Sequence, residues 1–194
     1  RGVVGAAPAA VHQQLDADGF QTERFPPLDP ASTGLTDTGV RVGVDLADHH
    51  VTVAVWRLDV GRIPLFLLDT DVEGNTAEAR AVTDRLYGGD VEHRLCQEIV
   101  LGIGGVRALR ALGHDPQVFH TNEGHAGFLS LERIRELVGG GMAFEAAVEA
   151  VRAGGVFTTH TPVPAGIDQF PLDLMHRYFS SYAGELGIDM DGLV

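Results

Sequence analysis

The sequence contains no lysine. Its fourteen cationic side chains are all arginines, so no side-chain amine is available for a Schiff base, and chemistry that needs an internal imine is excluded for this chain. It holds a single cysteine, Cys96, which cannot form an internal disulfide and points to a reducing compartment; a cytoplasmic protein is expected. No apolar stretch approaches the roughly 20 residues needed to span a bilayer, and no charged-then-apolar leader opens the chain. Positive charge is scarce as well. With 27 acidic residues against 14 basic ones, the formal net charge is −13, and no arginine cluster overrides it locally. Nucleic acid and membrane are therefore not expected as partners.

What is present fits a folded protein. A hydrophobic fraction of 44% and a charged fraction of 21% over 194 residues suit one domain with a substantial core, or one lobe of something larger. Glycine is abundant, 25 residues against the roughly 7% of average proteins, and runs such as Gly139-Gly140-Gly141 read as tight connections. The first residue is Arg1 rather than methionine, which leads us to expect a fragment or a processed product.

Residues 1–39 carry turn-forming pairs such as Pro26-Pro27 and Asp29-Pro30, and an irregular segment or a short hairpin is expected there. From residue 40 onward the pattern changes. Val40, Val42 and Val44 alternate with Arg41, Gly43 and Asp45, and Val51, Val53 and Val55 alternate with Thr52, Ala54 and Trp56, the period of half-buried strands. Ile63 to Leu68 is a continuous apolar run with Pro64 near its start, an interior strand. Asn75 with Glu78 has the form of a capping box opening a helix that Gly88-Gly89 would end. Asp90 is placed to cap a longer helix, whose Leu95, Ile99, Ile103 and Val106 follow helical spacing until Gly113. Gln117-Val118-Phe119 reads as a short strand. Two helices follow, with apolar stripes Phe128, Leu131, Ile134, Val138 and Phe144, Ala147, Val148, Val151. Gly155–Thr158 is the next strand, which makes a parallel crossover unit, and residues 172–186 form a last helix.

Two histidine-bearing segments close the strands of that unit: His120-Thr121-Asn122-Glu123-Gly124-His125 and Thr158-Thr159-His160-Thr161-Pro162-Val163-Pro164. In an open parallel sheet the carboxyl ends of neighbouring strands face one crevice, so these groups could converge on a ligand. Imidazole donates or accepts near neutral pH, and a carboxylate orients it or binds a hydroxyl. The plainer alternatives are helix capping by Asn122, with Glu123 complementing the helix dipole, and an ordinary strand exit with solvated hydroxyls. His120, Glu123 and His125 resemble zinc ligands, but two histidines five apart do not share a helical face as in H-E-x-x-H, so no metal site is expected. His49-His50 sit on a hairpin turn and should be exposed. Gly102, Gly104 and Gly105 fall inside a helix without phosphate-loop spacing, which points to close helix packing.

Five ordered motifs carry a family resemblance: Gly61-Arg62-Ile63-Pro64-Leu65-Phe66-Leu67-Leu68-Asp69-Thr70-Asp71, Arg85-Leu86-Tyr87-Gly88-Gly89-Asp90, Arg94-Leu95-Cys96-Gln97-Glu98, Asn122-Glu123-Gly124-His125, and Thr158-Thr159-His160-Thr161-Pro162-Val163-Pro164-Ala165-Gly166. From about residue 13 to the end the chain resembles bacterial α-glucan (glycogen, maltodextrin) phosphorylases. The resemblance implies an α/β fold, part of the Rossmann-like N-terminal domain of a two-lobed (GT-B type) glycosyltransferase, a parallel sheet with an antiparallel strand segment over residues 40–194. It implies retaining phosphorolysis of α-1,4-glucan by phosphate to glucose 1-phosphate. It also implies pyridoxal phosphate held on a lysine of a C-terminal lobe that this sequence does not contain. Carried over by motif, His160 would be catalytic, its carbonyl facing positive charge at the anomeric carbon and its ring the sugar's 6-hydroxyl. Glu123, His125, Thr161 and Arg94 would line the adjoining pocket, and Asp90 would lie on the loop gating substrate entry. Cys96 stands where the family usually carries a basic or polar residue, and the family's glycine-rich phosphate-contacting segment, expected upstream, is not in this sequence.

With no lysine to hold the cofactor, the isolated chain is expected to be inactive. The rival readings are a lobe of a nucleotide-sugar glucan synthase, a non-catalytic glucan-binding module and a metal hydrolase.

Overall fold

The computed structural model describes residues 3–6, 12–24, 33–84, 89–160 and 168–194. The valine alternation builds the centre of the larger sheet. β4 (Thr36–Leu46) and β5 (His49–Val60) pair antiparallel with Val42 opposite Val53 and Val44 opposite Val51, and these four valines and Val55 are buried. Ala47, at φ 55°, and Asp48 make the turn between them, and His49 and His50 are exposed at its edge, as expected. β6 (Ile63–Asp69) pairs antiparallel with β5 on its other side and buries Phe66, Leu67 and Leu68 in succession, the behaviour of an interior strand.

β6 is interior because β1 (Val3–Ala6) joins it in parallel, giving the order β1-β6-β5-β4. The first 39 residues are therefore more regular than their composition indicates. β2 (His12–Leu15) and β3 (Gln21–Arg24) make the anticipated hairpin, while β1 is a strand that only a partner some sixty residues later stabilises.

The capping assignment at Asn75 is corrected. Thr76 is the cap, its hydroxyl accepting from the Ala79 amide at 3.2 Å. The Asn75 side chain instead accepts from the Thr52 amide and donates to the Thr52 and Thr70 carbonyls, at 2.7 to 2.9 Å. The helix is also shorter than expected. α1 (Ala77–Arg80) passes into a 3-10 turn at Ala81–Thr83, because the Thr83 hydroxyl is committed to the buried Thr70 amide at 3.0 Å. Of the proposed stop at Gly88-Gly89, Gly88 lies outside the described residues, and Gly89, at φ +85°, stands directly before Asp90.

Asp90 does cap α2 (Val91–Ile99), accepting from the His93 amide at 2.9 Å. The rod continues through a widened π turn at Val100–Gly104 into α3 (Gly105–Ala111), and Gly113 at φ +78° closes it, with the His114 amide donating back to the Leu109 carbonyl. Its glycines serve packing. A Cβ on Gly102 would stand 2.8 Å from the Leu129 backbone nitrogen, and one on Gly104 would stand 3.1 Å from Val44 Cγ2.

β7 (Phe119–Asn122) and β8 (Gly155–Thr158) are parallel, joined by α4 (Leu129–Gly139) and α5 (Phe144–Ala153). β7 begins two residues later than the apolar run predicts, so His120 to Asn122 lie within the strand. Ladder partners on β8, rather than hydrophobicity, define it. α6 (Leu172–Glu185) and the short α7 (Met190–Leu193) complete an α/β fold with a mixed sheet and a parallel crossover unit.

One core α4 side chain is charged. Glu132 is fully buried, accepting from Arg107 on α3, from Arg135 and from the Tyr182 hydroxyl on α6, while Arg107 also donates to the Gly43 carbonyl of β4 at 2.8 Å. This network ties three helices to the sheet.

Candidate functional site

The register of β7 on β8 sets Asn122 opposite Thr158, and the Glu123 amide adds one more bond to the Thr158 carbonyl at 2.8 Å. Both strands thus release their chains at one edge. Glu123 turns there with φ 60°, ψ −172°, a conformation that disfavours any side chain. What offsets that strain is visible in its buried carboxylate, which accepts from the Thr159 hydroxyl at 3.0 Å and from the backbone amide of His160. The His160 ring reaches back across the strands, Nε2 donating to the Asn122 amide oxygen at 2.8 Å, and His120 Nε2 lies 2.7 Å from the Thr158 hydroxyl. The two histidine-bearing segments therefore form one linked edge. Asn122 serves this edge rather than capping a helix: α4 starts only at Leu129, after a 3-10 turn at Gly124–Ala126.

That turn carries His125 toward α2. Arg94 Nη2 donates to Asp168 Oδ2 at 2.8 Å, to His125 Nδ1 at 3.1 Å and to Glu98 Oε1 at 3.4 Å, while Nη1 reaches Gln97. Accepting at Nδ1 places the imidazole proton on Nε2. Burial, and then the positive charge of Arg94, hold the His125 pKa below its usual value, so the ring is neutral near pH 7. A neutral imidazole beside a guanidinium donates a hydrogen bond without adding charge. Burial, and then Asp168, push Glu98 up to about 8. The desolvation of Asp168 is outweighed by its bonds from Arg94 and Glu98, which keep it below the ordinary carboxylate value.

Of the residues singled out from sequence, Glu123 and His160 are joined directly, and His125 and Arg94 are joined to each other. Asp90 spends a carboxylate oxygen on the first turn of the helix that carries Arg94. Thr161 lies outside the described residues. The three groups weighed as zinc ligands do not act together: His120 is bonded to Thr158, and both Glu123 oxygens are bonded to the 159–160 exit. Among the described residues, the donor atoms that do converge belong to Glu98, His125 and Asp168, within 4.8 Å of one another, and Arg94 Nη2 bonds one atom of each. Glu98 and Asp168 were missed. The spacing of Glu98 four residues beyond Arg94 was an available signal; Asp168, 74 residues from Arg94, offered none.

A cavity of about 580 Å³ runs beside this edge between the α2–α3 rod and β7, lined among others by Leu101, Val106, Leu109, His120, Asn122 and Leu129. Its walls are apolar along the rod and polar at the strand end, with Asn122 common to the cavity and to the His160 contact.

The sequence is 54% identical to the glycogen phosphorylase of Mycobacterium tuberculosis (strain H37Rv) over 89% of this chain and 22% of that protein. It is 43% identical to the maltodextrin phosphorylase of Thermococcus litoralis over 88% of this chain and 21% of that protein, and 36% identical to the glycogen phosphorylase of Aquifex aeolicus over 93% and 27%. The chain thus spans between a fifth and a little over a quarter of the curated relatives it matches. Among solved structures, the catalytic domain of starch synthase IV from Arabidopsis thaliana bound to ADP and acarbose overlaps 82% of this chain and 27% of that one, at a TM-score of 0.47 and 13% identity, too loose a likeness to support an argument. No family profile matches the sequence.

Proposed function

The chain belongs with the α-glucan phosphorylases, and from that premise we propose that it is part of the glucan-facing N-terminal lobe of a GT-B type enzyme that cleaves α-1,4-glucan with phosphate, with retention, to give glucose 1-phosphate. The observation that supports this most directly is the bond from the His160 amide to Glu123. A backbone carbonyl stabilises charge at an anomeric carbon only if its peptide is held in advance, and Glu123 holds the peptide to which the His160 carbonyl is adjacent. In this reading His160 faces the reacting sugar, its ring fixed by Asn122. Neutral His125 and Arg94 line the adjoining wall, Asp90 sets the start of the helix behind it, and Thr161 is assigned to substrate binding by its motif alone.

Pyridoxal phosphate, held on a lysine in enzymes of this kind, has no such residue here. We assign its seat to another part of the enzyme, and the roles given to this chain's side chains do not depend on it. The isolated chain is accordingly inactive in this proposal. The buried lone thiol of Cys96 favours a reducing, cytoplasmic setting.

The test is an NMR titration of the chain with maltoheptaose, followed by an assay with phosphate and pyridoxal phosphate. Shifts clustered at Arg94, His125 and His160, without release of glucose 1-phosphate, are expected. Shifts confined elsewhere, or turnover by the chain alone, would refute the proposal. In the full-length protein, a requirement for a nucleotide sugar would instead identify a glucan synthase.

A further inference from the structure

Glu98 has no place in the roles given above, yet it is among the most buried charged residues of the molecule, its side chain 6% exposed. It faces Arg94 on its own helix, His125 on the turn after β7, with Nδ1 at 3.9 Å, and Asp168 on the stretch leading into α6. One carboxyl oxygen each of Glu98 and Asp168 lies within 4.8 Å of the other and of His125, and Arg94 Nη2 reaches both groups, at 3.4 and 2.8 Å. Two carboxylates so close repel unless a proton lies between them, and the single guanidinium of Arg94, beside a neutral imidazole, already serves Asp168 at the shorter distance. Glu98 is the more deeply buried of the two, whereas the Asp168 side chain is 34% exposed and bonded by Arg94 at 2.8 Å. The proton belongs on Glu98.

We propose that Glu98 is a positioning residue: as a neutral acid it donates to Asp168 and so clamps Asp168 onto Arg94, holding the stretch that leads into α6 against α2. His160 and Asp168 are then held by different carboxyl groups, the one by Glu123 and the other by protonated Glu98. This assignment gains functional meaning from the proposed role of His160, but the clamp itself does not require it.

The pH behaviour follows from the groups named. With its pKa raised to about 8, Glu98 retains a proton in the folded chain that the unfolded chain releases near the ordinary carboxylate value of 4.5. Its contribution to stability is full below about 4.5 and is lost as pH rises toward 8. Above 8 the two carboxylates repel and the clamp loosens. Glu98→Gln keeps a donor for Asp168 and cannot ionise; Glu98→Ala cannot ionise either but removes the donor.

The experiment is a carboxyl ¹³C NMR titration of this chain between pH 3 and 10, with Glu98 assigned by the resonance lost in Glu98→Gln. A Glu98 midpoint near 8 is expected, with the Asp168 carboxyl and His125 ring resonances moving at the same midpoint. In Glu98→Gln the Asp168 resonance should be flat above pH 6, and in Glu98→Ala amide protection at Asp168 should fall at least tenfold at every pH. A Glu98 midpoint below 6, or an Asp168 response unchanged in Glu98→Gln, would overturn the proposal. Should maltoheptaose cause no shifts while the coupled titration stands, the glucan reading fails and the clamp does not.

Discussion

The Glu123 carboxylate and the His160 backbone amide are bonded across 37 residues, and that single contact joins the ends of two parallel strands into one surface. Glu123 has to occupy a positive φ to make it, so the bond and the strained backbone are two sides of the same arrangement.

Removing the acceptor exposes both costs. Glu123→Ala leaves the Thr159 hydroxyl and the His160 amide without this partner, and a loss of about 1–3 kcal/mol in urea unfolding is expected, with faster exchange of the His160 amide. Glu123→Gln, which retains one carbonyl acceptor, should fall between. An unaltered exchange rate at His160 in Glu123→Ala would show that something else holds the peptide.

In a full-length enzyme carrying this segment, His160→Ala should lower kcat by a larger factor than it raises the glucan KM, because the proposed contacts matter most when charge develops at the reacting carbon. Equal kcat in wild type and variant would take the ring of His160 out of the mechanism.

Acid should unfold the chain partly through Glu132. Burial by itself would raise this carboxyl, but the bonds from Arg135, Arg107 and Tyr182 prevail and hold it below the ordinary value of 4.5. Its stabilisation is therefore complete above about 4.5 and is lost as pH falls through the depressed folded value. Glu132→Ala is expected to cost about 3 kcal/mol at neutral pH, since it removes the buried carboxylate that Arg107, Arg135 and the Tyr182 hydroxyl share. Glu132→Gln should flatten the acid limb of a stability-against-pH curve; a limb of unchanged slope would assign it to other carboxyls.

Gly102→Ala tests the packing of the rod on the start of α4. The added methyl meets backbone rather than a flexible side-chain tip, at 2.8 Å from the Leu129 nitrogen, so a loss of about 1–3 kcal/mol is expected. A thermal midpoint equal to wild type would mean that α4 can withdraw freely.

Much of this architecture is legible in the chain because it depends on short-range pattern. The valines of β4 and β5 alternate, Asp90 precedes an apolar helix, and Gly155–Thr158 is apolar enough to mark itself. What escapes depends on distant partners. Whether Asn75 or its neighbour Thr76 caps α1 is decided by the backbone groups that β5 and Thr70 present to Asn75. β1 is a strand only because β6 lies beside it, and the polar residues of β7 are strand because β8 pairs with them. At the site, the histidine motifs and Arg94 are visible as motifs, while Glu98 acquires its meaning only when Asp168 arrives from the other side of the fold.

The widened turn at Val100–Gly104 divides one rod between two masters. Arg94 and Glu98 lie ahead of it and address the strand-end edge; Arg107 lies beyond it and addresses Glu132. Successive residues of an α-helix are separated by roughly 100° of azimuth, so excising one residue from the turn would restore regular winding yet swing one of those arginines off its target. The irregular turn keeps the strand-end edge and the structural core in phase, and a single-residue deletion there should uncouple them while leaving the helix content nearly the same.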